Sequence, residues 1–569
     1  MFRRTDRQLA LMGPESGLPA GAQQRLKASW AQGFREKVMP ELLASEESFS
    51  ILYGDEGRPN WSVARMLGVS LLQQLQDMSD QQALDALSFD VRWQHALDVT
   101  AEDAYLSRRS LVEFRRRLVQ HDPDGSLLRA VFDRICSAGV RDLGLSTSEQ
   151  RLDSTLVAAN VRALGRMSLA RETLRVFVRS LGDEPRGRLP EAVVAWHASL
   201  SPDGWEREVD KSDRAARLRE LGSLVELTLE AFSSDAVVCE GQEYALLRRL
   251  ADEHAAALGL SDSGCDTSED DDSMGSDDEP PAAAGAEKTS KRRRKTGRKK
   301  PHSARYWSPH DPDASFGHKG FGYHVHVAET CRNVGTELLT DYAVVTAAQT
   351  DVGQALPSLQ RLAERDRSPE VMYADGGYPT PADLVSAKRM GTELCAPVNR
   401  GKLSADSMSR ADFKLDRSTL VVLQCPAGAA PTRHGERESS DSMQPRRSLF
   451  AFFATETCNP CPMRARCPVR QPNNARSREY RLELSEEMLA RDARWTEQRD
   501  EACKGRYRIR SGVEATMSEL KRAQGMGRLR MRHHARVQVQ VAFKTTACNI
   551  KRWIRACAAA LRARRPAPA

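Results

Sequence analysis

A chain of 569 residues, 40% of them hydrophobic, is too long for one compact core, so two to four domains are expected. Its net charge of +7 excludes neither a basic nor an acidic partner, but the balance is uneven: an acidic run lies mid-chain, whereas everything from Lys504 onward is strongly basic. A basic C-terminal segment points to a polyanion, most simply nucleic acid. No apolar run approaches a membrane span and the N-terminus lacks an apolar signal core, so a soluble, cytoplasmic protein associated with the nucleoid is expected. The twelve cysteines are scattered except for one cluster, which argues against a secreted disulfide scaffold.

In chain order, residues 1–145 read as a helical domain. Residues 23–43 are helix-patterned, and a loop follows with Gly54, Gly57 and Pro59. Val63, Met66, Leu67, Leu71, Leu72 and Leu75 recur at three- and four-residue steps and predict an amphipathic helix. Ser79 and Asp80 cap a second helix through Leu87, and LSRRSLVEFRRRLVQHD predicts a third. Short helices with exposed arginines suit either DNA docking or dimerisation.

Residues 146–258 begin with QRLDSTLVAANV, whose alternation predicts a short strand carrying Asp153; helices follow. Residues 259–302 are low-complexity, acidic and then basic, and are read as a flexible linker. Its KRRRKTGRKK run fits phosphate contact or solvation better than a nuclear signal. Over 303–403 strands and helices alternate. Phe321–Thr330 is a predicted strand on which His324 and His326 share one face, read as polar and close to DNA, with ligation as the alternative. EVMYADGGYPT predicts a strand ending in Asp375 at a tight turn, where reactive groups of α/β sheets often sit.

Residues 404–484 form an insertion containing Cys425, Cys458, Cys461 and Cys467. Three tightly spaced cysteines and a fourth predict a structural tetrahedral Zn²⁺ site with no open position. In residues 485–569, the stretch from Tyr507 to Lys521 reads as one helix. At 3.6 residues per turn Tyr507, Arg510, Glu514 and Lys521 then fall within roughly 60° of arc. A carboxylate ringed by cations suits a metal ligand facing a phosphate backbone. Arg522, Arg528 and Arg530 lie in an arginine- and glycine-rich stretch expected to touch phosphates, and Val537–Trp553 reads as an amphipathic helix.

The spacing Y-x2-R-x3-E-x6-K resembles the signature of bacterial insertion-sequence transposases of the Asp-Asp-Glu type. D-S-T-x-V-x-A-N around Asp153 and A-D-G-G-Y around Asp375 resemble that family's two catalytic aspartate segments. The segment SPHDPDASFGHKGFGYHVHVAE resembles its D-P-D-A-x-[FL]-x-x-K-G-x-x-Y-x-V motif, and GRPNWSVARMLGVSLLQQLQ resembles its N-terminal domain. The cysteine pattern is similar to that of one branch. The resemblance implies an α/β RNase H-like catalytic core, a mixed sheet flanked by helices, with an all-α N-terminal domain and a small Cys-rich insertion. It also implies a catalytic triad of Asp153, Asp375 and Glu514 holding Mg²⁺ or Mn²⁺, two-metal cleavage at element ends and strand transfer into target DNA. Its partners would be double-stranded terminal repeats and target DNA, bound by a homodimer. Tyr507, Arg510, Lys521, Arg522, Arg528 and Arg530 would contact the DNA. A DNA-binding regulatory derivative without transposition activity is the alternative, and a nuclease that cuts without joining a third.

Overall fold

The structure is a computed structural model and describes residues 1–5, 13–200, 213–260, 304–399, 407–416, 418–438, 447–471 and 479–563. The linker expected over 259–302 lies outside the described residues, apart from its first two positions.

The N-terminal region is helical because its apolar residues follow helical spacing and its starts are capped. Ser62 accepts from the Arg65 N–H to open Val63–Leu75, and Ser79 with Gln82 forms a capping box at Asp80–Phe89. Arg108–His121 follows. Two further helices, Val91–Leu97 and Ser126–Leu143, are not evident from the pattern described above. These helices share one apolar core with the 30-residue helix His534–Ala563 and one face of the sheet. Asp142 fastens the arrangement by accepting from Lys37 Nζ (2.6 Å) and Trp553 Nε1 (2.7 Å).

The central sheet contains β1 (Glu149–Ala158), β2 (Ser315–Gly317), β3 (Gly320–Thr330), β4 (Leu339–Thr346), β5 (Val371–Ala374) and β6 (Glu393–Cys395). Its order is β2-β3-β1-β5-β6, with β4 also paired to β3. β3 runs antiparallel to β1, whereas β1, β5 and β6 are mutually parallel. It is therefore a mixed sheet flanked by helices. Gly322 is required where β3 crosses the end of β1: its φ is +146°, and a Cβ there would meet the Val157 carbonyl at 2.2 Å.

Between β1 and β2 lies a helical module with its own core of Leu169, Leu174, Phe177, Val225, Phe232 and Leu247. Beyond β6 is a small three-stranded antiparallel sheet (Arg433–Glu438, Arg447–Ala454, Glu479–Leu484) over a separate apolar cluster. Among the described residues no helix is long and apolar enough to cross a membrane.

Two sequence expectations are corrected here. Tyr507–Lys521 is not one helix: Glu501–Tyr507 ends in a 3₁₀ turn, Arg508–Ser511, and Gly512–Arg522 begins after it. The pull is tertiary. Tyr507 Oη donates to the Ala374 carbonyl (3.0 Å), and Arg151 Nη1 donates to the Ile509 carbonyl (3.0 Å). These bonds tighten the chain where a regular helix would have carried it past the sheet.

His324 and His326 do not form a solvent-facing polar side of β3. Both are buried, His324 against the Gln349 carbonyl (Nδ1, 3.1 Å) and His326 against Tyr378 Oη (Nδ1, 2.8 Å). Burial pushes the His326 imidazole down to about 4. The folded chain therefore stays neutral there while an unfolded chain protonates near 6.5. The sign follows: stability from this group is full above pH 6.5 and drains away as pH falls toward 4, about 3 kcal/mol in all. Urea unfolding of His326→Gln from pH 7 to 4 is expected to show a flatter decline than wild type. Parallel curves would refute this.

Candidate active site

Strand pairing brings the two aspartates together. Leu152 on β1 is level with Ala374 on β5, so the next residues, Asp153 and Asp375, lie side by side at parallel strands. Asp153 is largely buried, its side chain 13% exposed, and accepts from the Ser154 N–H (2.8 Å). Burial raises its carboxyl above the usual range, with Arg510 opposing and Asp375 adding to the rise. Asp375 is exposed in the turn that follows β5.

Glu514 arrives on Gly512–Arg522, with its side chain 69% exposed. Arg510 links the groups: Nη2 donates to Asp153 Oδ2 (2.9 Å), and Nη1 lies 3.6 Å from Glu514 Oε1. Burial opposes the Arg510 charge, but Asp153, Asp375 and Glu514 together hold the guanidinium charged more firmly than usual. Asp153 and Glu514 thus flank one cation, whose charge Asp375 also favours. Among the described residues the three carboxylates do not form a group with ligand atoms within 4.8 Å of one another, and the Arg510 guanidinium stands between Asp153 and Glu514.

The helix carrying Glu514 is pressed close to β1. A Cβ on Gly512 would meet Arg151 Nη1 at 2.0 Å, so Arg151 and Gly512 set the approach together. Arg151 is in turn held by Glu329 Oε1 (2.7 Å). Tyr507, expected at the DNA end, is instead bonded to Ala374, one residue before Asp375, and so anchors this segment to β5.

Two residues beside the triad were not singled out from sequence. Ser154 Oγ donates to Asp351 Oδ1 (2.6 Å) and accepts from Lys319 Nζ (2.8 Å). Lys319 belongs to the K-G motif quoted above. Asp351 sits in an unremarkable loop after β4, and only folding brings it beside Asp153.

Lys521, Arg522, Arg528 and Arg530 are exposed, while Met526 and Leu529 are buried and moor the segment between them. Ala158 N–H donates to the Gly527 carbonyl (3.0 Å), so the arginine-rich segment lies alongside the end of β1. These four cations have no carboxylate in ion-pair contact among the described residues, which leaves them free for an external anion.

Residues 424–554 match the family model of the transposase DDE domain, and residues 32–117 match that of a transposase domain, DUF772. The chain thus carries a transposase DDE domain and a second transposase domain. No curated protein and no solved structure matches it. The stretch matched to the transposase DDE domain includes Glu514 and all four clustered cysteines, whereas Asp153 and Asp375 lie outside it.

Proposed function

We propose that the chain cleaves DNA at the ends of an insertion sequence and joins those ends to target DNA, using Asp153, Asp375 and Glu514. The observation that carries this is the placement of Asp153 on β1 and Asp375 just after β5, each one residue beyond the Leu152–Ala374 pair, with Glu514 3.6 Å from the Arg510 guanidinium that binds Asp153. The sheet order, with a single antiparallel strand beside β1, supports an RNase H-like core.

Three hard oxygen donors fit Mg²⁺ or Mn²⁺ in chemical type. Such ions, held by these carboxylates, would supply activation of the attacking oxygen and stabilisation of the leaving one. The protein's own part is electrostatic and positional. Arg510 neutralises Asp153 and Glu514 in the free protein and is placed to turn toward a phosphate once DNA enters. Lys521, Arg522, Arg528 and Arg530 are proposed to hold the backbone of double-stranded DNA. Lys319 and Asp351 fix Ser154 and with it the neighbouring Asp153.

The four cysteines are proposed to hold a structural Zn²⁺. Cys425, Cys458, Cys461 and Cys467 line one cavity of about 260 Å³, and Cys425 Sγ already accepts the Ala429 N–H (3.3 Å). Burial, and then the neighbouring thiols, push Cys458 up to about 11. The four sulfurs do not all lie within 4.8 Å of one another, so a bound cation would draw them inward and favour their thiolate forms. Metal analysis of purified protein is expected to give one zinc per chain, lost in Cys461→Ser; zinc-free wild-type protein would refute the site.

The decisive experiment incubates the protein and Mg²⁺ with a supercoiled plasmid carrying the DNA that flanks its gene. Cuts at the flanks followed by joined products support transposition. Binding without metal-dependent cutting overturns it in favour of a DNA-binding derivative.

A further inference from the structure

A second cluster of acidic and imidazole groups lies away from the triad, where the C-terminal helix meets the sheet. Asp311 and Asp313 come from the D-P-D turn before β2, and His533 immediately precedes His534–Ala563. One ligand atom from each lies within 4.8 Å of the others. Along β1 the two places are well separated: Tyr323, which binds Asp311, is level with Val157, whereas Asp153 is level with Val327. Four residues of strand correspond to about 13 Å.

A helix N-terminus explains part of this cluster. Asp311 Oδ1 accepts from His533 N–H (3.0 Å) and Tyr323 Oη (2.5 Å), and Asp313 Oδ2 accepts from His534 N–H (2.9 Å). It does not explain the rest. Asp311 is fully buried, yet its Oδ2 has no hydrogen-bond partner. A buried carboxylate oxygen without a donor is costly and calls for a cation. His533 adopts φ +68°, a conformation a non-glycine residue seldom takes without a local reason. Asp313 also lines an open cavity of about 540 Å³ with Arg249 and His534, which gives an ion a route in and room for water.

We propose that Asp311, Asp313 and His533 bind a first-row divalent cation of the Mn²⁺ type. Two carboxylates and one imidazole match that class of ion, with water completing the shell. Bound there, the ion clamps the start of the C-terminal helix to the D-P-D turn. It thereby fixes the downstream end of the arginine-rich segment that lies alongside the end of β1. The site needs no contribution from the triad.

The test uses the full chain carrying Asp375→Asn and Glu514→Gln. Both positions are exposed, so the fold stands while the triad is disabled. Mn²⁺ is the probe, because carboxylate and imidazole ligands suit it and thiolates do not. Titration followed by electron paramagnetic resonance is expected to reveal one bound Mn²⁺ per chain and a rise in melting temperature. Adding His533→Ala is expected to weaken that binding by more than about tenfold and remove the rise. Asp313→Asn should do the same, which guards against one variant failing to fold. No Mn²⁺ bound in the parent, or binding that both substitutions leave intact, overturns the site. Neither outcome bears on DNA cleavage, so this site and the triad stand or fall separately.

Discussion

Glu329→Ala is expected to lower the unfolding free energy by about 3–5 kcal/mol, as the breaking of a buried ion-pair network would. Glu329 is fully buried at an irregularity in the β3–β4 pairing. It accepts from Arg151 Nε (2.7 Å), Arg552 Nη1 (3.0 Å) and Thr516 Oγ1 (2.7 Å). One carboxylate therefore joins β1, β3, the Glu514 helix and the C-terminal helix. Removing it strands two guanidinium groups, both at most 13% exposed, with half their compensation gone. Arg552 keeps Glu519 (2.9 Å), but among the described residues Arg151 keeps only the Ile509 carbonyl.

Glu329→Gln retains the shape and an acceptor, so it should cost less than alanine. Chemical denaturation of the three proteins checks the order. A loss below about 1 kcal/mol for alanine would mean the arginines find water or other acceptors. Because Thr516 and Arg151 also set the position of Glu514, any cleavage activity should fall further than the folded fraction does.

The same network explains what sequence could and could not convey. β1 and β5 were legible because alternation and a Gly-Gly turn are local, and the aspartates they carry sat within quotable motifs. The break at Arg508–Ser511 was not legible. Its causes are Ala374 and Arg151, which lie 133 and 358 residues away from their partners Tyr507 and Ile509. Periodicity within 507–521 gives no warning of either bond. Asp351 was missed for a related reason: nothing around it is distinctive, and Ser154, its partner, is 197 residues distant. His324 and His326 were misread because alternation reports which residues share a face, not whether that face is covered. Loop 347–354 and Tyr378 cover it here.

Glu514→Gln is expected to abolish metal-dependent cleavage while leaving the fold and DNA binding unchanged, and that separation identifies its role. The Glu514 side chain is mostly exposed, and its closest ionic neighbour, Arg510, is better paired with Asp153. Nothing in the core depends on it, so the melting temperature should stay within about 2 °C of wild type. If Glu514 is a metal-binding carboxylate, losing its charge removes several kcal/mol of transition-state stabilisation, and cutting should fall at least about a thousandfold. Affinity for the element end is proposed to rest on Lys521, Arg522, Arg528 and Arg530, which the substitution does not touch. Arg510→Ala is the contrasting variant: it unpairs the largely buried Asp153 and should weaken the fold and cleavage together. Three assays decide it: melting, DNA binding and plasmid cleavage, each on the same preparations. Cleavage retained in Glu514→Gln would remove this residue from the chemistry. Cleavage lost together with melting temperature or DNA affinity would make its role structural. Only loss of cutting by a stable, DNA-binding protein fits an exposed carboxylate kept on a helix face beside two strand-borne aspartates.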